Sequence, residues 1–312
     1  AIAASNMGYI ANNASQVTIT LPQSSGLTVG NIIEVVGGGA GGWLIAQNDG
    51  QTIRSNEFMA KDKDVPWITR DTNGYGESVA SSADGTRLVA CNGGEQIYTS
   101  TDSGVTWTAR GSIRSWTGVA SSADGTKLVA CVYNGQIYTS TDSGVTWTPR
   151  DSNRSWFNVA SSADGTKLVA SVGGGQIYTS TDSGVTWTPR DSNRNWYEVA
   201  SSADGTRLVA GDFGGQIYTS DNSGVTWTAR DSNRNWSGVA SSADGTKLVA
   251  CVGGGGQIGR IYISTDSGVT WTARDSNRDW YSVASSADGT KLVACVGSGG
   301  RIYISTDSGV TW

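Results

Sequence analysis

A short unit recurs along this chain. The segment "SADGT" places Asp84, Asp124, Asp164, Asp204, Asp244 and Asp288 at spacings of 40 residues four times and then 44, where "GQIGR" lengthens one loop. A fixed period of this size constrains the fold more than any composition does, because each unit can bury its apolar face only against its neighbours. One unit, "WFNVASSADGTKLVASVGGGQIYTSTDSGVTWTPRDSNR" from Trp156, offers four strand candidates: "FNVAS", "KLVAS", "QIYTS" and "VTWTPR". Each is short and rich in β-branched or aromatic residues, and Gly, Asp and Ser turn signals separate them. No segment carries a helical period of useful length. Four short strands per unit, six units in a row, predict an all-β fold, a β-propeller of four-stranded blades. A stacked solenoid competes, but tight four-strand meanders favour the ring.

The unit also contains "STDSGVTW", which starts at 100, 140, 180, 264 and 305, with the variant "SDNSGVTW" at 220. This phrase resembles the Asp-box, or BNR, repeat of sialidase-like propellers, S-x-D-x-G-x-x-W. The resemblance covers residues 65–312. It implies that the box forms the turn between the third and fourth strands of a blade. It further implies that Asp102, Asp142, Asp182, Asp266 and Asp307 accept backbone hydrogen bonds within that turn. Trp107, Trp147, Trp187, Trp227, Trp271 and Trp312 are then expected to pack in the blade core. Asn222 stands at the Asp position of the fourth copy and can accept the same bonds. Elementary chemistry agrees: Asp and Gly suit tight turns, and Trp buries a large area.

Two blade counts fit the ends of the array. "DVPWITRD" (64–71) matches a fourth strand but precedes the first "SADGT", while the last fourth strand stops at Trp312. Six blades are expected, with Val65–Arg70 closing the final blade. The alternative is a worn seventh blade, in which "VVGGGAGGWLIAQNDGQTIRSN" lines up with "VASSADGTRLVACNGGEQIYTS". Residues 1–60 differ in texture from the propeller assigned to 61–312. "QVTITLP", "NIIEVVG", "GWLIAQN" and "QTIRSN" alternate like strands. "GAGGWLIAQNDGQTI" resembles small β modules of phage tail proteins and repetitive bacterial surface proteins, which implies an assembly or attachment role. Self-association through residues 1–60 is therefore expected, for instance by adding "ASQVTITLP" to a neighbour's sheet edge.

Composition removes several functions. The 312 residues carry a net charge of −5, which argues against non-specific nucleic-acid binding. No run approaches the length of an apolar membrane span. Histidine is absent, so Ser–His chemistry is excluded. No cluster has metal-ligand spacing and no Gly-rich stretch joins a strand to a helix, so neither a metal nor another cofactor is expected. Cys91, Cys131, Cys251 and Cys295 each follow "LVA" at one repeat position, and symmetry holds such positions beyond disulfide reach. They read as small buried thiols.

The repeat also sorts the two faces of the ring. In an antiparallel blade the first–second and third–fourth turns share one face, and these are the nearly invariant "SADGT" and box turns. The other face carries the "RDSNRxW" crossovers and the tips after "LVA", where the copies differ. Loops on a rigid scaffold are where binding resides. The candidate ligand-binding residues are therefore the pairs Arg114 and Trp116, Arg154 and Trp156, Arg194 and Trp196, Arg234 and Trp236, and Arg278 and Trp280. To these are added Phe157, Tyr197 and Tyr281 after the crossover, and Tyr133 and Phe213 at the tips. Arg forks and aromatic faces suit sugars and anionic groups. The competing reading pairs each Arg with the Asp of "RDSN" and wedges each Trp between blades.

A sialidase site would need unique acids, and Tyr197 and Glu198, being adjacent on a strand, are expected to face opposite sides. The functional expectation is thus a non-catalytic propeller on a cell or virion surface, binding glycan or another surface ligand through several weak sites. A fibre subunit and a protein-docking scaffold are the alternatives, with a sialidase-like glycosidase last.

Overall fold

The structure is a computed structural model. It describes residues 7–11, 17–20, 33–37 and 43–46 as backbone, and 76–312 except 255 and 298–299 in full. The chain divides into two compact units, Ala1–Ile68 and Thr69–Trp312.

The first unit holds β1 (Met7–Ala11), β2 (Val17–Thr20), β3 (Ile33–Gly37) and β4 (Trp43–Ala46). Strand β1 pairs with β3 and β2 with β4, both in parallel, and both ladders join positions 26 apart, Met7 with Ile33 and Val17 with Trp43. Blade strands pair antiparallel with their chain neighbours, and β3 and β4 do not pair with each other. The segment proposed as a worn seventh blade is therefore built differently from a blade where it is described. "QTIRSN" and Val65–Arg70 lie outside the described residues.

The second unit is entirely β. Its fourth blade shows the plan most clearly. The second half of β11 (Thr188–Ser201) pairs with β12 (Leu208–Asp212), β12 with β13 (Ile217–Ser220), and β13 with β14 (Thr228–Arg230), all antiparallel. The fifth blade repeats it with β15 (Trp236–Ser241), β16 (Leu248–Val252), β17 (Gly259–Ser264) and β18 (Thr272–Arg278). In the first three blades the tip and the crossover also pair, Gly173 with Asn195 for example. Hairpin and crossover there run together as the long strands β6 (Leu88–Ser100), β7 (Thr108–Ser121), β8 (Leu128–Ser140), β9 (Thr148–Ser161) and β10 (Leu168–Ser180). Strand β5 (Gly76–Ser81) opens the first blade. The sixth has three described strands, β19 (Trp280–Ser285), β20 (Leu292–Val296) and β21 (Ile302–Ser305).

The core lies in the joints between blades. One cluster joins Val249, Cys251, Ile261 and Ile263 of the fifth blade to Trp280, Val283, Leu292 and Ala294 of the sixth. Burial of this apolar area is the main favourable term in folding. Polar links reinforce the joints: the Ala83 N–H donates to the Ala123 carbonyl, Ala123 to Ala163, Ala163 to Ala203, Ala203 to Ala243 and Ala243 to Ala287, each at 2.7 Å. The basic residue after each turn reaches across as well, Lys127 Nζ donating to the Asp164 carbonyl at 3.0 Å and Lys167 Nζ to that of Asp204 at 2.9 Å.

The described strands at the two ends of the array expose apolar residues that are buried in the middle blades. Val79 is 77% exposed, whereas its equivalents Val119, Val159, Val199, Val239 and Val283 are 4–8% exposed. At the other end Ile302 and Ile304 are 53% and 65% exposed, while Ile261 and Ile263, which they repeat, are buried.

Candidate functional site

The repeated turn is structural. In the first copy Asp102 Oδ1 accepts from the Thr106 N–H at 2.9 Å, and the Gly104 N–H donates to Ser100 Oγ at 2.9 Å. Hydrogen bonds from the Thr106 hydroxyl and N–H, then from Ser100, hold the Asp102 carboxyl down at about 2. Gly104 needs its positive φ of 81°, and Ser103 before it is also left-handed at 58°. Asn222 makes the same turn, its Oδ1 accepting from the Thr226 N–H at 2.9 Å while its amide donates to the Thr226 hydroxyl at 2.8 Å. The Ser103 N–H donates to the Thr86 carbonyl at 3.0 Å, so the "SADGT" and box turns share one face. The box Trp is half-buried and packs on clusters that span two blades, as Trp147 does against Val89, Trp116 and Leu128. It therefore sits in the joint rather than inside its own blade.

The crossovers stack in three layers. Arg154 lies 4.5 Å from the centroid of the Tyr178 ring, whose edge meets Trp156 at 5.2 Å; Arg194, Tyr218 and Trp196 repeat this, as do Arg234, Tyr262 and Trp236, and Arg278, Tyr303 and Trp280. These four arginines also pair with Asp151, Asp191, Asp231 and Asp275 at 3.5–3.6 Å. Arg114 differs. Gly111 replaces the Asp, so Arg114 is exposed and rests on Tyr138, at 4.8 Å. Trp116, Trp156, Trp196, Trp236 and Trp280 are 0–1% exposed. This corrects their assignment as stacking surfaces: each is the floor of a joint, covered by Tyr and Arg, and presents no face to a ligand.

Other predicted residues do come together. A cavity of about 800 Å³ is lined by the first strands of all six blades. Its walls include Phe157, Tyr197, Phe213 and Tyr281, with Asn158, Asn195 and Ser237 among the polar groups. Beside it runs an arc of rings: Tyr133 meets Phe157 at 5.6 Å, Phe157 meets Tyr197 at 5.3 Å, and Tyr197 meets Phe213 at 5.6 Å. Tyr133 and Tyr281 are 43% and 50% exposed. The tip at Gly173 accommodates the arc, since a Cβ there would collide with the Phe157 ring.

Two carboxyls line the same cavity, Glu77 and Glu198. The expectation that Tyr197 and Glu198 diverge is overturned by a bulge. Trp196 pairs with Asp212 and Val199 with Ala210, so Tyr197 and Glu198 together oppose only Gly211 and alternation is lost. The bulge recurs in the other blades: Trp116 pairs with Val132 and Gly118 with Cys131, for instance. Burial pushes the Glu198 carboxyl up to about 8, and among the described residues it makes no hydrogen bond or ion pair. Tyr197 is pushed up to about 12 by burial and by the neighbouring Tyr281, Glu198 and Glu77. The cysteines are free; burial pushes the Cys91, Cys131 and Cys251 thiols up to about 12.

No family model and no curated protein sequence matches the chain. Solved structures do. A GH74 enzyme from Niastella koreensis is 22% identical with a TM-score of 0.57, over 76% of this chain and 38% of that one. The GH74 xyloglucanase of Xanthomonas campestris is 15% identical with a TM-score of 0.60, over 75% and 45%. YCF48 bound to D1 peptide is 16% identical with a TM-score of 0.57, over 77% and 81%. The chain thus spans less than half the length of the GH74 enzymes it matches. At these identities the likeness speaks for architecture alone, and that architecture is the β-propeller.

Proposed function

We propose that this protein is a non-catalytic, glycan-binding propeller displayed on a cell or virion surface, with Asp-box turns as its scaffold. The reading rests on one observation. The residues that depart from the repeat, Phe157, Tyr197, Phe213 and Tyr281, gather around one cavity, with Tyr133 extending the arc. Aromatic rings with a few convergent polar groups are what a sugar-binding cleft needs: faces for stacking, and amides and hydroxyls for orientation. The site is composite and central rather than repeated in every blade. Avidity would then come from several chains held together through residues 1–60. Polysaccharide chemistry on this architecture has a precedent in the GH74 xyloglucanase. The test is a glycan array probed with the multimerised chain, alongside Tyr197→Ala. Binding that the variant loses supports the reading, and a blank array sinks it. Negative-stain microscopy of the untagged chain at high concentration tests the fibre alternative.

A second reading, glycoside hydrolysis, is favoured by the presence of two carboxyls in one cavity, one of them raised as a general acid would be. Turnover of fluorogenic glycosides that Glu198→Gln abolishes would replace the binding reading with this one.

A further inference from the structure

We propose that the glycan taken by this cavity is cationic: a chain of amino sugars with free amino groups, seated with one ammonium against Glu198 and between the rings of Tyr197 and Tyr281. The inference rests on the glycan reading and narrows its ligand class.

The charge of the cavity supports it. Among the described residues that line it, two are acids, Glu77 and Glu198, and none is Lys or Arg. Four of the five crossover arginines, which could have received carboxylated or sulfated sugars, already face an Asp, and the fifth, Arg114, does not line the cavity. Arg154, Arg194, Arg234 and Arg278 each hold an Asp at 3.5–3.6 Å and cover a Tyr ring. An anionic glycan would find two acids and no Lys or Arg among the described residues that line the cavity, which disfavours it relative to a cation.

The partner groups support it as well. Glu198 opens on the cavity without a hydrogen bond or ion pair to any described residue. Glu198 is half-buried, and a carboxyl partly withdrawn from water without a partner gains from a cation. Its surroundings are acidic throughout: Tyr197 and Tyr281 each sense both Glu198 and Glu77, and the Cys131 and Cys251 thiols also sense Glu198. Burial is the main cause of each of these shifts, and the two acids add to it, so the local field at Glu198 favours a cation over an anion. Ring faces attract the same charge. A metal ion fits less well, because no group of three or more acidic, His or Cys side chains forms a metal site among the described residues. The arc from Tyr133 to Phe213, with rings 5.3–5.6 Å apart, favours a sugar chain over an isolated amine, since successive pyranose rings can lie along it.

The test is calorimetric titration of the full chain with three oligosaccharides of equal length: β-linked glucosamine tetramer, its fully N-acetylated form, and the corresponding glucose tetramer. The amine form is expected to bind at least tenfold more tightly than either neutral form. Glu198→Gln should abolish that preference by weakening the amine form about tenfold. Glu77→Gln, at the other acid, should weaken the amine form alone by about threefold. Equal or tighter binding of the neutral forms overturns the inference but leaves the glycan reading standing, as does a preference that survives in Glu198→Gln. If none of the three binds but a lysine-rich peptide does, both fall and the site is a peptide site.

Discussion

Tyr197 and Glu198 are neighbours in the chain and stand on the same cavity wall, because the bulge between Trp196 and Val199 sets two residues opposite one. The cavity therefore holds an acid where regular pleating would have turned it away. That placement has a thermodynamic signature. Glu198 is raised from an ordinary value of 4.5 to about 8 by burial, so the native state keeps a proton that the unfolded chain releases. Stability should fall as pH rises from 4.5 to 8, and Glu198→Gln should flatten that slope. Denaturant midpoints for both proteins, measured at half-unit steps of pH, check this.

The acidic limb has the opposite sign. The Asp102, Asp142, Asp266 and Asp307 carboxyls are held at about 2, mainly by hydrogen bonds within their turns, so they stabilise the fold above pH 4. That contribution is lost as pH falls from 4 towards 2. These carboxyls are solvent-exposed, so thermal unfolding should shift down only modestly over this window, in both the wild type and Glu198→Gln.

Within the turn, the bonds matter more than the charge. Asn222 already makes the same backbone contact. Asp142→Asn should therefore change stability by only a few tenths of a kcal/mol, whereas Asp142→Ala should cost about 1 kcal/mol. Chemical denaturation of the two variants side by side separates these outcomes.

Trp196 and Tyr197 should part company in their phenotypes. Trp196 is fully buried beneath Tyr218, so Trp196→Ala should cost about 3–5 kcal/mol. Any ligand effect should track unfolding. Tyr197→Ala, by contrast, should unfold near the wild-type midpoint and lose about tenfold in ligand affinity. Melting curves and titrations on one preparation test both.

The blade plan was readable because the sequence states it six times: strand lengths, turn residues and the faces of the ring all follow from the aligned copies. The same repetition marks scaffold rather than site. The pair Arg154 and Trp156 recurs at all five crossovers between blades because each joint places an arginine over a Tyr there, so its repetition signalled packing. The aromatic arc was legible as departures, at Tyr133, Phe157, Tyr197 and Phe213. Its acid was not, because a bulge leaves no mark in an alternating pattern such as "NWYEVAS". In residues 1–60, strands at Val17–Thr20 and Trp43–Ala46 could be found from alternation, but their parallel pairing depends on partners 26 positions away.

The repetition of one joint from blade to blade bears on how such a chain can change over generations. Because the joints share one packing plan, duplicating or deleting a 40-residue unit would keep that plan at every joint. Blade number is then an adjustable quantity, free of the coadaptation that normally freezes a core. What such an event does change is the order of side chains around the cavity. Diversity in this molecule is therefore cheap to generate at its centre, while the walls that support it need no redesign.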